Sequence, residues 1–415
     1  MAIQANTTKG DRLIMLRALR SPAFALFWGG QTISVLGDRI FQVALAWWVL
    51  EKTGSALAMG TVMILTTAPM TAFLLVGGVV VDRVSRARLM LVADVIRGLV
   101  LSLASVLAFT DSLTIAHVYA FALLSGVVDA FYRPAFSAVV PQTVRPEDLP
   151  SANSLVSISG QISGIVGPAV GALVVKLAGA TLAFVLDGLS FWIAAVSLLP
   201  ILKFAAAPEH PAERRAFTQD LREGLATVMA TPWLWSTIAI AGVSNIAYAG
   251  PMEVALPFLI RDRLRAGVEV LGSFFSASAL GSVLAALWLG RMGRLRRRGL
   301  MLYGAWMTIG LLVMAIGLLR PIPAILLAAF GIGACNTILG LAWVSALQER
   351  IPQRLLGRVT SVDYLGSYLF LPLGYAVGGW ATQAISPQLV FIIGGALETT
   401  LIALGLLHPD VRSLD

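Results

Sequence analysis

Long apolar runs alternate with short polar segments along nearly the whole chain. A helix needs about 20 predominantly apolar residues to cross a bilayer. Cutting the chain at charges and turn residues predicts twelve such spans, at 23–50, 55–81, 89–109, 114–138, 152–175, 180–202, 233–259, 270–289, 300–319, 322–346, 359–382 and 388–407. An even number of crossings returns the chain to the side on which it began. The pattern predicts an all-α integral membrane protein of twelve transmembrane helices.

The longest polar interruption divides the spans six and six. The expected organisation is an N-terminal segment (1–22), a first bundle (23–202), a linker (203–232), a second bundle (233–407) and a tail (408–415). Within the linker, Pro208 and Pro211 precede Phe217, Leu221, Leu225 and Val228 at helical spacing. This reads as an amphipathic helix lying on the membrane surface. A repeat supports the division: Arg83, Arg86 and Arg88 reappear as Arg291, Arg294 and Arg296, and Gly167 and Gly171 as Gly374 and Gly378. The stretch Gln42-Val-Ala-Leu45 likewise has a counterpart in Glu253-Val-Ala-Leu256. Three matches in the same order at nearly constant offset point to two six-helix repeats.

Composition agrees with the hydropathy. Hydrophobic residues make up 58% of the chain and charged residues 13%, against about 25% charged in soluble proteins. The net charge of +8 does not mark a nucleic-acid surface, because the basic residues sit in short loops between apolar runs. Of the 30 lysines and arginines, only Lys52, Lys176, Arg261, Arg263, Arg265 and Arg320 fall in one set of loops, and Arg39, Arg97 and Arg133 lie within spans. The rest share the side of the termini, so the positive-inside rule places both termini in the cytoplasm. The first run is too long for a signal-peptide core and lacks a small-residue cleavage site. One cysteine, Cys335, cannot form an internal disulfide. His117, His210 and His408 are too scattered for a metal site. No cofactor is expected, and no phosphate-binding loop supports a primary pump.

Charges inside spans carry the candidate chemistry. A charge at a helix centre costs about 2.5–3.5 kcal/mol on insertion scales, so it faces a partner or a wet cavity. Asp38, next to Arg39, is the first choice for a cavity-facing proton carrier. Asp187, Glu253 and Glu398 are further candidates for proton coupling or for the substrate cavity. Glu253 follows Gly250 and Pro251, where a broken helix would free backbone groups to line a cavity. The plain alternative for each is a structural pairing. Asp94 and Arg97, three apart, and Asp129 and Arg133, four apart, share helix faces and read as a charge network tying spans 2, 3 and 4. Gly160, Gly164, Gly167 and Gly171 leave one face of span 5 bare for close helix approach, with Pro168 permitting a bend.

The loop after span 2 carries Gly78, Asp82, Arg83 and Arg86. This arrangement closely resembles the loop motif between the second and third spans of the major facilitator superfamily, although Ser85 stands where that family usually has glycine. The resemblance implies the major facilitator fold and a cytoplasmic gate at this loop, with Asp82 latching against the start of span 11 near Arg358–Asp363. Gly167-Pro168 with Gly171-Ala172 is similar to the antiporter motif of drug exporters in the superfamily, with Ala172 replacing its last glycine. The run 24–54, the stretch from Pro134 to Ser154 and the segment Phe184–Phe191 resemble bacterial exporters of the macrolide-efflux and enterobactin-exporter type. What the resemblance implies is a secondary transporter of the bacterial inner membrane, acting as a monomer. It would exchange an amphiphilic drug-like molecule for protons. A proton-independent facilitator, an importer of a metabolite and a siderophore exporter remain open on the residues alone. An enzyme is disfavoured, because no nucleophile, base and metal ligands cluster.

Overall fold

The computed structural model describes residues 16–81, 84–203, 217–292 and 298–406; of 74–81, 203 and 217–221 only the backbone course is described. Every regular element among them is helical. The first four spans are α1 (Pro22–Thr53), α2 (Ala56–Val81), α3 (Arg86–Phe109) and α4 (Ile115–Thr143). A continuous run, Leu149–Leu198, follows, and it turns at Gly179, with φ 79° and ψ 169°. This is backbone that an L side chain rarely adopts. One glycine therefore makes the whole connection between α5 (149–178) and α6 (180–198).

The chain continues with α7 (Phe217–Met229), α8 (Pro232–Arg263), α9 (Val268–Arg291), α10 (Arg298–Leu318) and α11 (Ile322–Arg350). Next come α12 (Gln353–Tyr368), α13 (Leu371–Ala384) and α14 (Pro387–Gly405). Ten runs among the described residues are long and apolar enough to cross a membrane. One of them holds both α5 and α6. A further crossing is shared by α12 and α13, which are interrupted at Leu369 and Phe370 just before Pro372. That accounts for twelve crossings. Proline within the first turn needs no hydrogen bond from its nitrogen, and it starts α1, α5, α8, α11, α13 and α14.

The start of α1 and the end of α14 share one face of the molecule, here the terminal face; the other is the distal face. The largest apolar core spans both halves at the distal face. It joins Val43–Leu50 and Phe184 to Val254–Ile260, Phe274 and Phe391. Among the described residues, the cores toward the terminal face each belong to a single half. One is built around Phe24, Phe27, Met90 and Leu198, another around Trp233, Leu234 and Val359, and a third around Tyr303 and Trp306.

Polar contacts follow the same division. Ser55 Oγ of the α1–α2 connection donates to Gln383 Oε1 at 3.3 Å, Lys176 pairs with Glu269 at 3.4 Å, and Arg261 Nη1 donates to the Leu50 carbonyl at 3.0 Å. All three tie the halves at the distal face. Among the described residues the halves are thus joined at one face and separately cored at the other.

The linker helix α7 is anchored at one end. Its C-terminal end docks on the second half: Val228 is buried with Trp233, Leu355 and Val359, and Glu223 pairs with Arg358 at the start of α12. Val228 turns to the neighbouring helices, while Leu225 on the same helix stays exposed.

Candidate functional site

A buried polar network crosses the first half. Arg97 of α3 pairs with Asp129 of α4, and its guanidinium carbon lies 4.3 Å from the Tyr132 ring centroid and 5.3 Å from that of Phe191. The Tyr132 hydroxyl donates to Gln31 Oε1, and Gln31 Nε2 donates to Asp94 Oδ2 at 3.3 Å. Asp94 is fully buried and its Oδ1 has no hydrogen-bond partner. The pairing therefore runs between helices rather than along them. Among the described residues, the network joins α1, α3 and α4; the side chains at the end of α2 are not among them. Facing helices present complementary groups more closely than neighbouring turns of one helix do. Arg133 is exposed.

Two predicted acids border this network. Asp38 is surrounded by protein yet exposed, so it faces an opening inside the molecule rather than packed side chains. Arg97 is among the charged groups near it. Asp187 of α6 is fully buried behind it: Oδ1 accepts from Ser190 Oγ at 3.1 Å and lies against Gly37, and Oδ2 has no partner.

A cavity of about 320 Å³ opens between the halves, lined by α1, α5, α8 and α9. Arg39 and Gln42 project from one side, and Glu253 and Tyr248 from the other, beside Met252, Phe274 and Phe275. Charges of both signs and apolar rings thus share one wall. Glu253 sits in a widened π-helical turn, Gly250–Ala255, through which α8 continues, so the helix is widened at Gly250-Pro251 and not interrupted there.

The glycines of α5 divide their work. A side-chain carbon on Gly171 would lie 2.8 Å from the Ile40 carbonyl oxygen, and Gly167 lies against the Arg39 side chain. These two let α1 approach. A side-chain carbon on Gly164 would lie 3.5 Å from Ala279 of α9, and Gly160 has open space beside it. Gly160, Gly164 and Pro168 line the inter-half cavity. The repeat is matched in three dimensions, because Gly378 packs on Gly250 of α8 as Gly171 packs on Ile40 of α1.

Glu398 does not reach the inter-half cavity. It lines a second cavity of about 290 Å³, built from α8, α10, α11, α12 and α14. Its Oε1 accepts from Ser244 Oγ at 3.3 Å and from Trp306 Nε1 at 3.2 Å, and Oε2 is buried without a partner. Asp363 lines the same cavity, with Oδ2 accepting from Trp343 Nε1 at 2.8 Å and Oδ1 from Ser367 Oγ at 3.2 Å.

Asp363 was not singled out from the sequence as an intramembrane acid, although its place inside a predicted span, with a serine four residues on, was a usable signal. Gln31 and Tyr132 as network members had no such signal. Of the loop motif, Asp82 and Arg83 lie outside the described residues, and Gly78 is described only as part of α2. Arg86 Nη1 donates to the Ala138 carbonyl at 3.4 Å, tying α3 to α4. Among the described residues no cluster of metal-binding side chains forms.

The family model described as transmembrane secretion effector, a branch of the major facilitator superfamily, matches residues 15–412. The chain belongs to this family. Its members are membrane transporters and not enzymes. The chain is 29% identical over 414 residues to the multidrug efflux pump Tap of Mycolicibacterium fortuitum, covering 97% of this chain and 99% of that one. It is 26% identical over 400 residues to macrolide efflux protein A of Streptococcus pyogenes (94% and 97% covered). It is also 26% identical over 410 residues to the enterobactin exporter EntS of Shigella boydii (95% and 96% covered). Among solved structures it is similar to a POT family transporter in complex with 5-aminolevulinic acid, with TM-score 0.74 and 11% identity over 95% of this chain and 97% of that one. A second similar structure is the nucleoside transporter NupG, with TM-score 0.65 and 13% identity over 93% of this chain and 98% of that one. At these identities the solved structures speak for the fold, which is that of a twelve-helix facilitator.

Proposed function

We propose that this facilitator exports amphiphilic small molecules across a bacterial inner membrane in exchange for protons, by alternating access, with its terminal face in the cytoplasm. The observation that carries the reading is the composition of α1. This one helix supplies Gln31 to the buried network, Asp38 to an internal opening beside Arg97, and Arg39 and Gln42 to the inter-half cavity. A substrate held against α1 and a proton held on Asp38 would bias the same helix, which is what exchange requires. Asp187, against Gly37, would share that proton. The efflux functions named for the relatives from Mycolicibacterium and Streptococcus support the direction of transport.

In this reading the structure represents the state open to the cytoplasm, since the shared core closes the distal face. Inward proton movement supplies about 2.3 kcal/mol per charge for each 100 mV of potential. Glu253 and Arg39 would orient the polar end of a substrate while Phe274, Phe275 and Met252 take its apolar part. The loop at Gly78, Asp82, Arg83 and Arg86 would close the cytoplasmic face in the opposite state. The division 23–202 and 233–407 would give the two moving bodies, with 203–232 as the connection.

The test is a substrate panel in a host stripped of its own efflux pumps, with and without an uncoupler. It is followed by Asp38→Asn in proteoliposomes under an imposed pH gradient. Coupled efflux lost in the variant supports the reading; efflux indifferent to both uncoupler and substitution overturns the proton-exchange step. Siderophore export is the second reading. It is favoured by the EntS relative and by Arg39, whose charge would hold an acidic chelator.

A further inference from the structure

The cavity around Glu398 belongs wholly to the second half, and the mechanism proposed above leaves it unused. Two carboxylates, Glu398 and Asp363, face it, while none of its described lining residues is Lys, Arg or His. Aromatic rings form its walls: Trp306, Trp343, Tyr248 and Tyr368. Glu398 is 1% exposed, both of its donors fall on Oε1, and Oε2 has no partner. A buried carboxylate oxygen left unsatisfied beside an open volume is a costly feature unless something occupies that volume.

We infer that this cavity is a binding site for a small organic cation, with the ammonium group against Glu398 Oε2 and its substituents against the rings. The aromatic faces attract a cation, and a quaternary ammonium, which has no hydrogen to donate, relies on them most. The volume, about 290 Å³, is at the small end of ligand pockets, which run from about 300 to 1,000 Å³. It therefore suits a single-ring ammonium compound rather than a macrocycle. Asp363 holds hydrogen bonds on both oxygens, so it contributes charge rather than a contact left open. Tyr248 lines this cavity and the inter-half cavity alike, so the two adjoin. The inference rests on the transport reading only for its purpose, namely that lipophilic amines are among the exported molecules; the binding itself stands apart.

The experiment is equilibrium dialysis of the purified full chain in detergent with radiolabelled phenyltrimethylammonium, which cannot lose a proton and so reports cation binding alone. Saturable binding is expected, without competition from its neutral isostere tert-butylbenzene. Glu398→Gln should weaken it at least tenfold, Asp363→Asn severalfold, and Trp306→Ala severalfold. Each variant is checked for an unchanged melting temperature; should Glu398→Gln fail to fold, Asp363→Asn and Trp306→Ala carry the test. No saturable binding, competition by tert-butylbenzene, or binding indifferent to these substitutions overturns the inference. So does loss in Glu253→Gln with Glu398→Gln unaffected, which would seat the cation in the inter-half cavity. Drug efflux without probe binding sinks this site and leaves the transport reading. Probe binding without uncoupler-sensitive efflux of any compound does the reverse.

Discussion

Arg97 of α3 and Asp129 of α4 form an ion pair in which both side chains are mostly shielded, at 11% and 22% exposure. Arg97 serves more than Asp129, because Asp38 and Asp94 act on it as well. Removing one member of a buried pair costs about 3–5 kcal/mol. Asp129→Asn should fall at the lower end, since the remaining acids still compensate Arg97. Arg97→Met should fall at or above the upper end, because it leaves three acids without their common cation. Denaturant unfolding in detergent compares the two; equal losses would mean that the pair stands alone.

Gly171 and Gly160 make opposite predictions from one helix. A methyl group at Gly171 must push away the Ile40 carbonyl, whereas Gly160 has open space. Overpacking costs about 1–3 kcal/mol. Gly171→Ala should lower the unfolding free energy by that amount, and Gly378→Ala, against Gly250, should do likewise. Gly160→Ala should be neutral or slightly stabilising, since alanine favours the helix. A Gly171→Ala protein as stable as the parent would show that α1 and α5 are less closely packed than described.

Ser55 and Gln383 offer a test of which face is closed. Their side chains touch across the halves at the distal face. In a Cys335→Ser background, Ser55→Cys with Gln383→Cys should cross-link under mild oxidation and arrest transport, with reduction restoring it. A pair that never cross-links, or one that cross-links without arresting transport, would contradict a distal closure that must open in the cycle.

Asp111, in the connection between α3 and α4, supplies a pH dependence. The Lys52 ammonium, 2.8 Å away, holds its carboxyl below the usual range. A carboxyl depressed by folding adds stability above its unfolded value, near about 3.9, and loses it as pH falls through the lower folded value. The pair is open to water, so its contribution is small and screened by salt. Wild type and Asp111→Asn should differ slightly at neutral pH and low salt, and converge in strong acid or high salt. A gap that persists in strong acid would assign the effect to the left-handed backbone at Asp111, where φ is 52°, instead of to its charge.

Hydropathy alone determined the number and order of the crossings, because each helix must satisfy its own backbone in lipid and so carries its own apolar length. The glycine repeat foretold where backbones meet, since close approach demands a missing side chain, and Gly171 and Gly378 meet their partners at equivalent places. The motifs were local enough to identify the family. Side-chain partnership was not local. Asp94 and Arg97 are three residues apart, yet each finds its hydrogen bonds on another helix. Glu253 and Glu398 looked alike in sequence, and one lines the space between the halves while the other lines a cavity of the second half alone. Which face is closed was equally beyond the sequence. The same apolar residues can form one shared core or two separate ones, and only the packing of Val43–Leu50 against Val254–Ile260 decides between them. The sequence by itself determined what each helix must be; the rotation and tilt of the helices about one another decided which of their polar groups meet.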